Sequence, residues 1–280
     1  MDLSQVIILS IIEGVTEFLP ISSTGHLIIA EKLLGWKVPF AFDLIIQVGA
    51  FCAVIFLFHA KIFKILMATK RFILYKLTKS AFEEKDRIDA RLGMSMLIAT
   101  IPIAIIGVVL QGWIEKTLHT GLIVSIFLIL FSFVMAYFDK RADGKKTINE
   151  TTSTDVLKIG LWQVISLIPG VSRSGATIVG GMAAGLSRET AAEVSFILGV
   201  PLVLGAGLKG VFDLVKGKEG FGDITIFQVG LGFLISFAVG MIVIKFLLNF
   251  VKNNNFKPFI WYRIGLGVFL LMIFLIVGGK

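Results

Sequence analysis

Long apolar runs alternate with short charged stretches along this chain, and two of the runs are interrupted by polar turns. Six uninterrupted runs, at about residues 42–58, 92–110, 120–138, 190–210, 225–249 and 259–277, approach the ~20 apolar residues that take a helix across a bilayer. Residues 1–19 and 23–35 form a shorter pair of apolar arms around a polar break, and 159–186 forms a second such pair. Each arm is short for a full crossing, so each pair predicts a re-entrant helical hairpin. Irregular backbone at membrane depth is tolerated only where protein or a water-filled cavity covers it. Polar stretches at 59–91, 139–157 and 251–258 separate the runs, and the first of them is expected to be a long loop. The pattern predicts an all-α polytopic membrane protein with a single membrane domain over 1–280.

Charge orients the pattern. Lys61, Lys64, Lys70, Arg71, Lys140, Arg141, Lys145, Lys146, Lys252 and Lys257 fall in those three stretches, which an excess of Lys and Arg marks as cytoplasmic. The loops near 115 and 218 then lie outside, with the first hairpin at the outer face and the second at the inner face. An internal repeat fits this arrangement: Ser22-Ser23-Thr24-Gly25-His26-Leu27-Ile28 aligns with Ser172-Arg173-Ser174-Gly175-Ala176-Thr177-Ile178 at an offset of 150 residues. The same offset pairs Asp43 with Glu193 and Gly49 with Gly199. Each half, 1–138 and 159–278, holds one hairpin and three spans, and an odd span count inverts the second half relative to the first.

Composition narrows the class. The chain is 56% hydrophobic with 25 Phe, and its mean hydropathy of +0.91 is too high for a soluble domain. The net charge of +8 gathers in a few loops, so it marks no nucleic-acid partner. Met1-Asp2-Leu3-Ser4-Gln5 lacks a basic n-region, so no cleavable signal peptide is expected. Cys52 is the only cysteine, which excludes an intramolecular disulfide.

Ionisable groups inside a membrane are costly and point to function. Residues 13–26 read EGVTEFLPISSTGH, placing Glu13, Glu17 and His26 beside the hydroxyls of Ser22, Ser23 and Thr24. Glu13 and Glu17, four apart, share one helix face. In the second hairpin Arg173 lies within LIPGVSRSGAT. If the two tips meet, the site combines carboxylates, hydroxyls, an imidazole, a guanidinium and two helix N-termini. Such a set suits a phosphate or diphosphate, with a divalent cation bridging it to the carboxylates. Structural roles compete with this reading. The glutamates could pair with Lys or Arg across helices, and Arg173 could be their ion-pair partner. The hydroxyls could cap a helix, and His26 could be a satisfied interior histidine. Asp43, Gln47 and Glu193 read as packing or gating groups, Gly180, Gly181 and Gly185 as helix-packing positions, and His59 and His119 as loop-edge residues.

At EGVTEFLPISSTGH and PGVSRSGAT the chain resembles the undecaprenyl-diphosphate phosphatase family, also called bacitracin-resistance proteins. The resemblance extends over the whole chain. It implies a bacterial inner-membrane enzyme that removes the terminal phosphate from a long-chain prenyl diphosphate. That reaction recycles the lipid carrier for peptidoglycan and lowers bacitracin sensitivity. It implies a divalent cation, Mg²⁺ or Ca²⁺, on Glu13 and Glu17. It also implies catalytic roles for Glu17, Ser23, His26 and Arg173. Ser22, Thr24, Gly25, Ser172, Ser174, Gly175 and Thr177 are the implied substrate-binding positions. Two chemistries stay open: Ser23 attacks phosphorus with His26 or Glu17 assisting, or water attacks with His26 as base. In either, the lipid tail leaves between spans into the bilayer, and the active site is expected at the outer face. A lipid flippase or transporter is the competing class, because inverted repeats with broken helices also build alternating access. Homo-oligomerisation is left open.

Overall fold

The computed structural model describes residues 1–79, 81–216 and 224–276. Helix α1 (Leu3–Thr16) opens with a capping box, in which the Gln5 N–H donates to Asp2 at 2.8 Å and the Asp2 N–H to the Gln5 carboxamide at 3.1 Å. It ends at Thr16 because Pro20, four residues on, has no N–H for the Thr16 carbonyl and its ring would strike it. After the turn, α2 (Ser23–Ile28) runs into a π-helical turn, Ile29–Leu33. Four helices complete the first part: α3 (Phe40–Leu57), α4 (His59–Thr78), α5 (Arg87–Thr117) and α6 (Gly121–Lys140). The second part begins with α7 (Ser153–Ile165), which stops four residues before Pro169 for the same reason as α1. Then follow α8 (Arg173–Ala183), α9 (Arg188–Val215), α10 (Ile226–Asn253) and α11 (Lys257–Ile276).

Among the described residues, α3, α5, α6, α9, α10 and α11 are long and apolar enough to cross a membrane. The chain is therefore a multi-pass membrane protein, with α1 a shorter apolar helix. These helices coincide with the six runs read from the sequence to within a few residues, α5 extending furthest beyond its run. The loop near 218 and the last residue of the run ending at 277 lie outside the described residues.

One expectation fails. Residues 59–91 are not a long loop, because α4 occupies most of the stretch and packs along α5. Its Ile65, Ala68 and Thr69 are buried at helical spacing while its lysines stay outside. Asp86, Asp89 and Glu193 pair with Arg71, Lys64 and Lys61 at 2.6, 3.2 and 2.7 Å, so Glu193 is a structural ion-pair partner.

The interior is organised around α3, which packs on α9 and α10. Helix α1 lies on α10, α7 on α5, α6 along α11, and α8 against α7, α9 and α6. Phe18, in the first break, is fully buried against Phe51 of α3 and Phe196 of α9, with ring centroids 5.6 and 5.3 Å away. The first break thus sits inside the helix assembly, as does the second, whose Val171 is buried. Ser22 and Ser172, each immediately before its helix, adopt φ of 73° and 78°. A non-glycine residue in that region costs on the order of 1–3 kcal/mol and collects at functional sites. Gly170 has φ +95°, and a Cβ there would stand 2.5 Å from the Val124 carbonyl oxygen, so the second turn requires glycine.

Candidate active site

The two breaks meet through side chains. Arg173 Nε donates to Glu17 Oε1 at 3.3 Å, and Ser23 Oγ donates to Glu17 Oε2 at 3.3 Å. One carboxylate therefore joins the first residue of α8 to the first residue of α2. Ser174 Oγ adds a bond across the junction, to the Leu19 carbonyl at 3.2 Å. Arg173 is held from below: Nη1 donates to the Ser195 carbonyl at 3.1 Å, and the guanidinium lies over the Phe51 ring, 4.8 Å from its centroid. Gly199 makes the space, because a Cβ there would be 2.6 Å from Arg173 Nη1.

A cavity of about 260 Å³ opens at this junction. Glu17, Ser22, Ser23, Thr24, Ser172 and Arg173 line it, together with Gln47 from α3 and Ser166 from the second break. Arg173 Nη2 and Ser22 Oγ are buried and find no partner among the described residues. A buried donor left unmade costs about 1–3 kcal/mol, more for a charged group. Both belong to residues on this wall, and a guanidinium beside serine hydroxyls is a donor set suited to an anion.

The other sequence-derived positions lie off the cavity wall. Glu13, one turn back on α1, is 1% exposed, and its Oε2 has no partner among the described residues. His26 turns away: Nδ1 meets the Ser22 carbonyl at 2.8 Å and Nε2 the Tyr262 hydroxyl at 2.7 Å. The carbonyl can only accept, so Nδ1 carries a proton. The imidazole thereby buttresses the strained Ser22 backbone. Gly25 brings α2 close to Leu128 of α6. The Gly175 N–H donates to Ser172 Oγ at 3.1 Å and caps α8. Thr177 hydrogen-bonds Ser195 and so fastens α8 to α9 beneath Arg173.

Sequence reasoning passed over Gln47's place on the wall, Ser166, and above all Arg263. Arg263 of α11 is fully buried. Its Nη1 donates to the Pro20 carbonyl at 3.1 Å, Nη2 to the Gly170 carbonyl at 2.8 Å and Nε to Ser132 Oγ at 3.2 Å. The guanidinium clasps the two broken turns together through carbonyls that no helix satisfies. A charge inside an apolar span was the signal that could have found it. Arg263→Met strands both carbonyls and should cost about 2 kcal/mol. The loss should be read as a lower Tm in detergent. An unchanged Tm would show that the clasp carries no weight.

The chain matches the family described as Bacitracin resistance protein BacA over residues 6–269. It is 40% identical over 278 residues to "Undecaprenyl-diphosphatase 1" of Oenococcus oeni, covering 96% of this chain and 95% of that relative. It is 37% identical over 281 residues to "Undecaprenyl-diphosphatase" of Enterococcus faecalis, covering 97% of each. A protein of the same name from Alteromonas mediterranea is 37% identical over 272 residues, covering 97% of this chain and 98% of its own length.

Proposed function

The chain belongs to the bacitracin resistance protein BacA family, and on that premise we propose that it hydrolyses undecaprenyl diphosphate to undecaprenyl phosphate and inorganic phosphate in the cavity between the two broken turns. The observation that carries this reading is Arg173, which bridges the hairpins through Glu17 while its buried Nη2 has no partner among the described residues. A diphosphate is the ligand class that answers such a donor beside serine hydroxyls.

The reaction is assigned to this chain's own groups. The diphosphate's oxygens compete for Arg173 and loosen its hold on Glu17. Glu17, already accepting from Ser23 Oγ, takes the hydroxyl proton as Oγ bonds to the terminal phosphorus. The bond from that phosphorus to the bridging oxygen breaks, and undecaprenyl phosphate leaves. Glu17 passes that proton to the departing phosphate, which regenerates the carboxylate. Water, deprotonated by that carboxylate, then attacks the phosphoserine, inorganic phosphate leaves, and Glu17 returns the proton to Ser23 Oγ. Arg173 and the start of α8 stabilise charge on the equatorial oxygens. His26, with both ring nitrogens engaged, supports Ser22 rather than the proton transfer.

Glu17 and Gln47 offer hard oxygen ligands on the wall, and Glu13 has a free carboxylate oxygen behind them. These fit Mg²⁺ or Ca²⁺. Among the described residues no three His, Cys, Asp or Glu groups are placed to hold an ion alone, so substrate oxygens would share its coordination. A bound cation would neutralise the diphosphate and polarise its phosphorus.

The same reading makes 1–138 and 159–278 inverted halves. Matched positive-φ serines support it, as does the exchange of α1 on α10 for α7 on α5. It also faces the site outward in a bacterial inner membrane, recycles the carrier for peptidoglycan, and lowers bacitracin sensitivity. The experiment is phosphate release from undecaprenyl diphosphate by the purified protein in detergent, where transport has no meaning. Stoichiometric release with turnover is expected. Binding without release would favour a lipid flippase.

A further inference from the structure

We infer that the groove between α5 and α7 is the seat of the lipid substrate's proximal isoprenoid chain, leading it from the polar cavity into the outer leaflet. The inference deepens the phosphatase reading of that cavity and rests on it.

The groove measures about 410 Å³ and is walled by Ile106, Leu110 and Trp113 of α5, with Leu161 and Val164 of α7 and Leu167 beyond it. No charged side chain is among its lining residues. Leu167 and Ile168 line the groove and the polar cavity alike. Ile103 of α5 stands on the cavity wall, one turn before the groove residue Ile106. The two spaces therefore adjoin at Leu167 and Ile168, one polar and the other hydrocarbon. A prenyl diphosphate has that same polarity along its length. A second apolar hollow, between α3 and α9 and lined by Leu44, Leu204 and Leu208, shares no lining residue with the polar cavity.

Direction follows from α5. Its N-terminal end carries Arg87 and Arg91, on the side that the positive-inside rule makes cytoplasmic. The groove runs the other way, from the level of Ile103 to Leu118, about 22 Å along the axis at the helical rise. A chain laid in it has its head at the broken turns and its first isoprene units along α5 within the outer leaflet. The bilayer is as apolar as the groove, so the groove adds little affinity. Its contribution is alignment: the first isoprene units are held so that the terminal phosphorus meets Ser23.

Two measurements on the full chain in detergent test this. In the first, a geranyl diphosphate analogue with a diazirine at the far end of its chain is bound and irradiated, and the adducts are mapped by peptide mass spectrometry. Adducts within 106–118 and 161–168 are expected. Adducts around Leu204 and Leu208, or spread evenly over the lipid-facing helices, overturn the inference. In the second, Gly107→Trp plugs the junction, since a Cβ at Gly107 meets only Leu167 Cδ2, at 3.5 Å. The kcat/KM for undecaprenyl diphosphate should fall on the order of 10²-fold, the loss expected when a reacting head is misplaced by about 1 Å. Hydrolysis of isopentenyl diphosphate, too short to need the groove, should be unchanged. The control Leu208→Trp should leave both rates unchanged. Equal losses on both substrates, or none on the long one, overturn the inference. A wild-type protein that releases phosphate from neither substrate sinks the phosphatase reading instead, while the adduct map still reports on the groove.

Discussion

Ser23→Ala is expected to reduce phosphate release from undecaprenyl diphosphate by on the order of 10³-fold or more, the scale of nucleophile removal in other hydrolases. The fold should be unaffected. Ser23 is half-buried at the first turn of α2, and its Oγ donates to Glu17 at 3.3 Å. Its loss strands no buried donor, and Glu17 keeps Arg173. The protein should therefore elute and melt like wild type while turning over at a small residual rate. Rapid quench with substrate labelled at the terminal phosphorus should trap the label on the peptide carrying Ser23 in wild type and on no peptide in Ser23→Ala. Glu17→Gln should also suppress labelling, since an amide can hold the serine but cannot take its proton. Near-normal turnover by Ser23→Ala would transfer the attack to water and leave Ser23 as a phosphate ligand.

The spans were legible because a run of ~20 apolar residues has few fates besides crossing a bilayer. Both breaks were legible in Pro20 and Pro169, each four residues past the last helical carbonyl. Helix α4 was not, because its lysines mask a narrow apolar stripe that matters only once α5 lies beside it. Within the site, the motif residues were visible but their directions were not. Helical spacing puts Glu13 and Glu17 on one face, and Glu17, the C-cap, keeps helical dihedrals and donates its N–H to the Glu13 carbonyl. Only Glu17, at the end of the helix, reaches the cavity wall, while Glu13 lies one turn back. The ring of His26 is oriented by Tyr262, 236 positions away in the chain, which no local pattern encodes.

Arg263 shows the same dependence from the other side. Two broken turns with serines at positive φ are costly on their own. They persist because a guanidinium from the last helix holds the Pro20 and Gly170 carbonyls at once. The chain thereby ties the first and second polar turns to a single charge on α11. Preorganisation of this kind is what electrostatic catalysis requires, because donors already in place need not reorganise as charge develops.

Arg173→Ala should lower kcat by roughly 10²–10³, the cost of one preorganised donor to a developing oxyanion. Nε and Nη1 are spent on Glu17 and the Ser195 carbonyl, which leaves the buried Nη2 for the phosphoryl oxygens. Arg173→Lys keeps the charge but loses the planar fork, so it should recover only part of the rate. A subtler variant separates position from chemistry. Gly199→Ala places a Cβ 2.6 Å from Nη1 and 2.7 Å from the Phe51 ring beneath it, and shifts the guanidinium with that ring while leaving every functional group intact. A loss of about tenfold is expected, smaller than that of Arg173→Ala because a displacement well under 1 Å costs less than removal of the donor. All three variants should bind the diphosphate more weakly in the order alanine, lysine, Gly199→Ala, with undecaprenyl phosphate release followed alongside the Tm in the same detergent. If Arg173 served only to pair with Glu17, Arg173→Ala would lower the Tm, since it leaves a buried carboxylate without its partner, yet turn over like wild type. Wild-type kcat in that variant would remove Arg173 from the chemistry and take the diphosphate's place in the cavity with it.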